Sequence, residues 1–364
     1  MGKREDRFRP SIVNILIMRS GALGDFILTL PVIESLRAAF PSARIMVMGN
    51  PDFSGLAYHL VDGFISQSLP GLYTLYGEHC KIPDHITKEL KYFDLVITYS
   101  SDKEGVLVGH LEKIGVPWIL TGGVHSTEAA VLPATDQLLL PLVKEGIPVS
   151  LRSPQVMVSS IKRQYAREFF RSSCGVRSMP APRVGFHPGS GSRKKCWPVK
   201  KFVELMKWTK RKFNATIVLL SGPADREVTE DILAQADDCK LILVKDLPLT
   251  SVAAVLEQCS CYVGNDSGVT HLAAAVGTST LALFGPTDSR VWSPRNENAQ
   301  VVQSLYTCSP CSPQQMAQCS QPACMESITL AAVQQRLDDF LGADGCQASL
   351  KERTETSRRE SNDA

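Results

Sequence analysis

The sequence predicts an α/β protein made of two halves, each with a parallel sheet wound by helices on both faces. Short apolar runs of strand length alternate with longer segments of helical periodicity, which is typical of βαβ units. The same strand–loop–helix order begins again near residue 184. The length of 364 residues is also enough for two domains of ordinary size.

The first half opens with a strand, a glycine-containing loop from Arg19 to Asp25, and a helix that runs to Phe40. Strands are predicted at 13–18, 44–48, 94–98, 118–120 and near 138–140. Scattered glycine, proline and aromatic residues in 53–83 predict mobile loops with short helices. A basic amphipathic helix at 161–171 and the proline-containing stretch after it predict a linker between the halves.

The second half repeats this plan. Its strands are predicted at 184–187, 216–220, 241–244, 261–263 and 279–284, and its helices at 199–213, 251–258 and 269–276, with one more after the turn at 221–227. We therefore expect a first domain at 1–175 and a second at 176–346. The polar, charge-dense tail at 347–364 is expected to be disordered.

Composition narrows the possible function classes. The net charge of +2 gives no indication of nucleic acid as a partner. No apolar run approaches the roughly 18 residues needed to span a bilayer. Eleven cysteines, an odd number, accompany an N-terminus without the pattern of an export signal. These features favour a cytoplasmic protein with mostly reduced thiols.

The most informative segment is Gly-Asn-Asp-Ser-Gly at 264–268, between an apolar strand and an apolar helix. Asp266 and Ser267 are favourable helix N-cap residues, and Gly268 lets a ligand approach the backbone closely. The first amides of such a helix suit a phosphate, and His271 follows near its first turn. The next strand ends in a second turn at 285–288, so both strand ends indicate a nucleotide-diphosphate pocket. The alternative is that Asp266 only caps the helix.

Two more loops of the second half follow strands at the same edge of the sheet. Residues 187–198 offer glycine amides, serine hydroxyls and lysine ammonium groups, which can neutralise a departing diphosphate. A solvated basic loop is the alternative. In the turn at 221–227, Asp225 and Glu227 can bind ribose or sugar hydroxyls, or can only cap a helix.

Two candidate sites remain. Asp25 lies at the carboxyl end of the first strand, where α/β proteins place ligands, and can act as a general base or as a helix cap. Four cysteines near the end of the second half can bind zinc or an iron–sulfur cluster, or can be free thiols. Their spacing copies no common metal motif; they are Cys308, Cys311, Cys319 and Cys324.

Together these segments resemble the bacterial heptosyltransferases of lipopolysaccharide core synthesis, in glycosyltransferase family 9. The matching motifs are RSGALGD, HPGSGSRKKCWP, SGPADRE and GNDSGVTHLAAAVGTSTLALFGPTD, and the late cysteines also resemble those of many members. The resemblance extends over about 13–330. It implies a GT-B fold, in which two Rossmann-like domains face each other across a cleft and the second holds the donor.

The resemblance also implies an inverting, metal-independent transfer of heptose from ADP-heptose, without a cofactor. Asp25 would deprotonate the acceptor hydroxyl, and Lys195 would stabilise the diphosphate. The residues implied to bind the donor are Ser190, Gly191, Asp225, Glu227, Asp266, Ser267, Gly268 and His271. The acceptor would be a lipid-linked saccharide at the inner membrane surface, reached by peripheral contact through the aromatic stretch 64–76.

The charge of the first half departs from that of relatives that use a heavily phosphorylated acceptor. Residues 45–151 contain six lysines and no arginine against twelve acidic residues. We therefore expect an acceptor with less phosphate, or one met by Arg19 and the arginines at 37 and 44. Three alternatives stay open: another nucleotide-sugar donor with a different acceptor, a nicotinamide-dependent oxidoreductase, and a non-catalytic nucleotide- or metal-binding protein. The absence of a Gly-x-Gly-x-x-Gly fingerprint argues against the oxidoreductase.

Overall fold

The computed structural model describes residues 12–100, 102, 104–124, 131–149, 152–174, 181–236 and 239–342. The chain divides into two compact units, Met1–Met157 and Val158–Ala364. This division lies before the predicted boundary at 175, because the helix Ser160–Cys174 packs within the second unit. Arg163 donates two hydrogen bonds of 3.0 Å to the Glu257 carboxylate there. The predicted tail lies outside the described residues, as do residues 175–180 of the predicted linker.

The first unit contains a sheet of five parallel strands. They are β1 (Asn14–Met18), β2 (Arg44–Gly49), β3 (Gly63–Ser66), β4 (Leu95–Thr98) and β5 (Trp118–Thr121). Their order in the sheet is β3-β2-β1-β4-β5. The apolar runs predicted four of these strands, because a strand covered on both faces is a continuous hydrophobic segment. The strand β3 lies in the stretch that was predicted as loops.

Four α-helices and two short 3₁₀ helices connect the strands of the first unit. They are α1 (Leu23–Ala39), α2 (Asp84–Lys91), α3 (Val106–Ile114), α4 (Ala134–Lys144) and the 3₁₀ helices Pro51–Leu56 and Leu72–Tyr76. The strand predicted near 138–140 is wrong, since these residues lie in α4. Leu138, Leu139 and Leu142 are buried there, whereas Leu140 and Val143 are exposed. This is the period of an amphipathic helix, which a short apolar run does not reveal.

The second unit contains a sheet of six parallel strands. They are β6 (Arg183–His187), β7 (Thr216–Ser221), β8 (Ile242–Lys245), β9 (Cys261–Asn265), β10 (Ser279–Phe284) and β11 (Ala299–Gln303). Their order is β11-β10-β9-β6-β7-β8. The first five confirm the prediction. The edge strand β11 is only partly buried along its length and has no clear apolar run.

Nine α-helices accompany this sheet within the described residues. They are α5 (Ser160–Cys174), α6 (Val199–Phe213), α7 (Arg226–Gln235), α8 (Leu249–Glu257), α9 (Gly268–Ala275), α10 (Ser289–Trp292), α11 (Pro313–Gln318), α12 (Ala323–Ser327) and α13 (Leu330–Leu341). Buried side chains of α6 and α13 pack on the sheet, around the edge-to-face pair Trp197 and Phe202. No helix in the described ranges combines the length and apolarity that crossing a bilayer requires.

In each unit the order of the strands changes direction at the first strand, because successive strands are added first on one side of it and then on the other. In the first unit β4 pairs with β1, after the chain has moved outward through β2 and β3. In the second unit β9 pairs with β6 in the same way. Open parallel sheets bind ligands at the carboxyl ends of the strands at such a switch point. The loops that follow β1, β4, β6 and β9 are therefore the places to look for a site.

Candidate functional site

In the first unit, the loop after β1 holds Asp25 in the first turn of α1. The Ala22 amide donates to Asp25 Oδ2 at 3.0 Å, and Arg19 Nη2 donates to Oδ1 at 2.8 Å. Gly21 has a φ of +130°, and a Cβ at this position would lie 2.7 Å from Asp25 Oδ2. The carboxylate therefore does cap α1. Its side chain is nevertheless 34% exposed, and an ionised carboxylate offers about four lone-pair sites. Asp25 can therefore accept a further hydrogen bond from a ligand.

Arg19 is almost buried and lies against the same carboxylate. Its side chain is 9% exposed, and its guanidinium lies 5.9 Å from the centre of the Tyr99 ring. Burial lowers the pKa of Arg19, while the charge of Asp25 opposes that shift. Tyr99 is held in turn by a 2.7 Å hydrogen bond to the Leu138 carbonyl. The predicted acceptor-binding residue Arg19 thus fixes the orientation of Asp25.

In the second unit, one buried asparagine organises the loop that follows β6. Asn265 Nδ2 donates to the Pro188 carbonyl at 2.7 Å, and the Trp197 amide donates to Asn265 Oδ1 at 3.0 Å. Both ends of the loop are therefore fixed to the end of β9. Between them, Ser190 Oγ donates to the Asp266 carbonyl at 2.6 Å.

Asp266 is the centre of a polar cluster at this switch point. Its carboxylate is only 10% exposed, and its Oδ2 accepts 2.7 Å hydrogen bonds from Lys195 Nζ and Thr287 Oγ1. The cap of α9 is Ser267, whose Oγ accepts from the Thr270 amide. The alternative in which Asp266 only caps the helix is therefore wrong. Thr287 belongs to the second predicted turn but was not itself predicted as a site residue.

Asp225 and His187 form a buried pair beneath this cluster. Asp225 Oδ2 lies 2.9 Å from His187 Nε2 and accepts from the Gly222 amide at 2.9 Å. Burial acts to raise the pKa of Asp225, but the hydrogen bond and charge of His187 lower it below its usual value. Since an ionised carboxylate only accepts, His187 Nε2 carries the proton, and Nδ1 faces Ser267 Oγ at 3.3 Å. Asp225 is thus occupied by His187 and by the turn that it caps, which agrees with the alternative that this residue only caps a helix.

The remaining predicted donor residues occupy different environments. Gly268 begins α9, and the buried His271 lies one turn further along. Gly191 is exposed, and a Cβ there would meet no described atom within 4 Å. Glu227 is exposed and paired with the exposed Arg193. The structure thus gathers Ser190, Lys195, Asp266, Ser267 and Gly268, whereas Glu227 lies in an exposed ion pair.

The four late cysteines line a small cavity of about 120 Å³, together with Lys194 and Pro286. Burial and the neighbouring thiols, Cys308 first among them, raise the pKa of Cys311 to about 11. Among the described residues, no group of three or more His, Cys, Asp and Glu side chains is placed to hold a metal ion.

The cysteine segment also supports the polar cluster. The Cys311 amide donates to the Pro286 carbonyl at 2.7 Å, next to Thr287. Lys194 Nζ donates to the carbonyls of Met316 and Ala317 at 2.7 and 2.8 Å, near the end of α11. Two of the loops that surround Asp266 are therefore fixed to the segment 308–324.

The cluster suits a ligand with a diphosphate. The amides at the start of α9 supply partial positive charge. The Lys195 ammonium adds a full charge beside them, because it contacts Asp266, two residues before the helix begins. Within the first unit, Asp25 supplies a partly exposed carboxylate. A helix terminus that binds an anion and a carboxylate that accepts a proton are both groups that a group transfer from a nucleotide uses.

Known proteins match the chain over most of its length. The model of glycosyltransferase family 9 (heptosyltransferase) matches residues 128–321, just over half of the chain. Lipopolysaccharide heptosyltransferase 3 of Escherichia coli is 24% identical over 302 residues, and this match covers 76% of the present chain and 84% of that protein.

Two solved structures show the same fold. The glycosyl transferase family 9 structure from Veillonella parvula DSM 2008 aligns with a TM-score of 0.75 at 21% identity, covering 90% of this chain and 97% of that one. E. coli ADP-heptose lps heptosyltransferase II aligns with a TM-score of 0.70 at 21% identity, covering 90% and 98%. These matches confirm the GT-B fold with its two Rossmann-like sheets. The chain is a glycosyltransferase and belongs to glycosyltransferase family 9.

Proposed function

We propose that this protein is an inverting glycosyltransferase that moves heptose, or a related sugar, from ADP-heptose to an acceptor of the lipopolysaccharide inner-core type. The observation that carries the proposal is the cluster of Lys195, Asp266 and Ser190 at the start of α9. The relatives, which include a lipopolysaccharide heptosyltransferase and an ADP-heptose heptosyltransferase, support the choice of donor and acceptor.

In this proposal the donor diphosphate binds at the N-terminus of α9. The amides there have no partner within the helix and point toward the anion. Lys195 carries three N–H donors, so it can keep its contact with Asp266 and donate to a phosphate oxygen as well. Thr287 and Ser190 hold Asp266 in position for this contact.

The transfer is a single displacement. Asp25 accepts the proton of the acceptor hydroxyl, and the acceptor oxygen forms a bond to the anomeric carbon of the sugar. The bond from that carbon to the diphosphate oxygen breaks, and ADP leaves as an anion. Attack on the face opposite the leaving group inverts the anomeric centre.

Lys195 and the helix amides neutralise the departing charge, so the proposal requires no divalent metal. We expect turnover to be unchanged by EDTA.

The acceptor is proposed to be lipid-linked and to be met at the inner face of the cytoplasmic membrane by peripheral contact. Sedimentation with vesicles that contain the acceptor, compared with vesicles without it, tests this placement.

The decisive experiment is a thermal-shift panel of ADP-heptose, ADP, UDP- and GDP-sugars and NAD, followed by a transfer assay. A ligand at about 100 times its dissociation constant stabilises the folded protein by roughly 2.7 kcal/mol. We expect a selective shift with ADP-heptose. A shift with another nucleotide sugar would replace the donor and point to a different acceptor. No shift with any ligand would contradict the proposed donor site at the start of α9.

A further inference from the structure

A recess of about 420 Å³ lies at the carboxyl edge of the first sheet, beside the loop that holds Asp25. Arg19 and Ser20 of that loop line it, together with Met48 at the end of β2. The volume lies within the range of about 300–1,000 Å³ that is usual for small-molecule sites. The recess is therefore large enough for a small ligand, and its Arg19 donates a 2.8 Å hydrogen bond to the carboxylate of the proposed base, Asp25.

One side of the recess carries a pair of tyrosines on the 3₁₀ helix Leu72–Tyr76. Side chains three residues apart eclipse each other in a 3₁₀ helix, so Tyr73 and Tyr76 share one face. Tyr73 is 75% exposed and Tyr76 is 44% exposed, whereas Leu72 and Leu75 on the opposite face are buried. The sequence pattern thus directs both aromatic rings away from the core.

This aromatic face is rigidly supported. The buried His110 contributes a 3.0 Å hydrogen bond between its Nδ1 and the Leu75 carbonyl. Thr74 Oγ1 donates to the Gly71 carbonyl at 2.7 Å, which closes the turn that starts the helix. Tyr76 Oη lies 3.3 Å from Ser100 Oγ, at the end of β4. The backbone of the 3₁₀ helix and the Tyr76 ring are therefore held in place, and the helix presents Tyr73 on the same face.

The polar groups in the recess are almost all neutral. Gln67, Ser68 and Ser100 offer amide and hydroxyl groups that suit sugar hydroxyls. Among the described lining residues, Arg19 is the one with a charged side chain, and its guanidinium donates to Asp25. The surrounding stretch 45–151, with twice as many acidic residues as lysines, repels a polyanion.

We propose that this recess is the acceptor subsite and that it selects an uncharged sugar ring, with the ring stacked on Tyr73 and its hydroxyls bonded to Gln67, Ser68 and Ser100. The acceptor hydroxyl that reacts then points to Asp25. This assignment rests on the proposed function, because it takes the ligand of the recess to be the acceptor. We expect phosphate on that ring to weaken binding, since Arg19, the one cation among the described lining residues, already pairs with Asp25.

The test measures saccharide binding directly, with ADP present at saturation to occupy the donor site. Ligand-observed NMR titrations use the methyl glycoside of heptose and a heptose monophosphate as probes. We expect the neutral glycoside to bind the wild-type protein at least several-fold more tightly than the phosphate. We expect Tyr73→Ala to weaken binding of the glycoside about 2- to 12-fold, the loss of one aromatic contact.

Two further variants make the comparison specific. Tyr73→Phe keeps the ring face and should bind within about twofold of wild type. Tyr92→Ala removes a tyrosine of equal exposure, 75%, at the end of α2 outside the recess, and should bind as wild type does. Tighter binding of the heptose monophosphate, or equal losses in Tyr73→Ala and Tyr92→Ala, would overturn the assignment.

Vesicle sedimentation separates this proposal from a role of the tyrosines in membrane contact. If Tyr73→Ala loses vesicle binding but keeps saccharide affinity, the recess is a membrane contact and the proposal is wrong. Unchanged vesicle binding with weaker saccharide binding supports it. Failure of the proposed donor would appear separately, as a missing thermal shift with ADP-heptose while the saccharide titration still succeeds.

Discussion

Lys195 Nζ lies 2.7 Å from Oδ2 of Asp266, although 71 residues separate them in the chain. This pair fixes the position of the ammonium at the start of α9 and compensates a carboxylate that is nearly buried. Because the lysine side chain is already ordered, it loses little conformational entropy when a diphosphate binds. The pairing therefore serves both stability and the proposed chemistry, and the two can be separated by mutation.

Lys195→Ala should lower turnover about 10²- to 10³-fold, comparable to the loss of one oxyanion donor. It should also lower the melting temperature, because Asp266 is left without its cation. In Lys195→Ala combined with Asp266→Asn, stability should return but activity should not. Lys200→Ala, at an exposed lysine of the same region, is the control. Turnover within about twofold of wild type in Lys195→Ala would remove this residue from the mechanism.

Asp25→Asn should lower turnover about 10²- to 10⁴-fold while it leaves donor affinity nearly unchanged, because the amide cannot accept the acceptor proton. Single-turnover kinetics and donor titration measure the two quantities. Asp52→Asn, at an exposed aspartate of the same unit, should behave as wild type. A loss of donor affinity as large as the loss of turnover would instead make Asp25 a donor ligand or no more than the cap of α1.

Two glycines in the loop after β6 provide a matched pair. A Cβ at Gly189 would overlap the Asp225 carboxylate, so Gly189→Ala should destabilise the protein by about 1–3 kcal/mol. Gly191→Ala meets open space, so stability should stay within about 0.5 kcal/mol of wild type while donor affinity falls. Urea unfolding and donor titration distinguish these results. Unchanged donor affinity in Gly191→Ala would place this residue outside the donor site.

The buried Asp225–His187 pair predicts a pH dependence of stability. The pKa of Asp225 is below its unfolded value of 3.8 in the folded protein, so the folded state binds this proton less readily than the unfolded state. The stabilisation is therefore present above about pH 4 and is lost as pH falls through the folded pKa. Urea unfolding of wild type and Asp225→Asn should differ most near neutral pH and converge in acid. A difference that stays constant from pH 7 to pH 3 contradicts this origin.

Local patterns in the sequence predicted nine of the eleven strands in the described residues and the loops of the candidate site. Buried parallel strands such as β6 and β9 are apolar along their length, and the loops after them contain the glycines and caps expected at ligand sites. The apolar run at 138–140 was ambiguous because three leucines do not reveal their period. The strands β3 and β11 are short or partly exposed and lack the expected pattern.

Long-range side-chain contacts could not be predicted in this way. Nothing local indicates that Lys195 meets Asp266, that Thr287 joins them, or that Asp225 pairs with His187. Tyr73 and Tyr76 looked like part of an irregular aromatic stretch. Their common face became visible only once the 3₁₀ geometry and the buried leucines beside them were known.

The cysteine segment has a consequence for how this protein tolerates damage and shortening. The Cys311 amide donates to the Pro286 carbonyl, and Lys194 donates to two carbonyls near the end of α11. The segment 308–324 therefore supports the two loops that contain Lys194 and Thr287. Oxidising the exposed thiol of Cys308 or trimming residues 308–319 would leave Cys324 in the core beneath the six-stranded sheet but would release the turn that carries Thr287. Such a protein would fold and still lose its hold on Asp266.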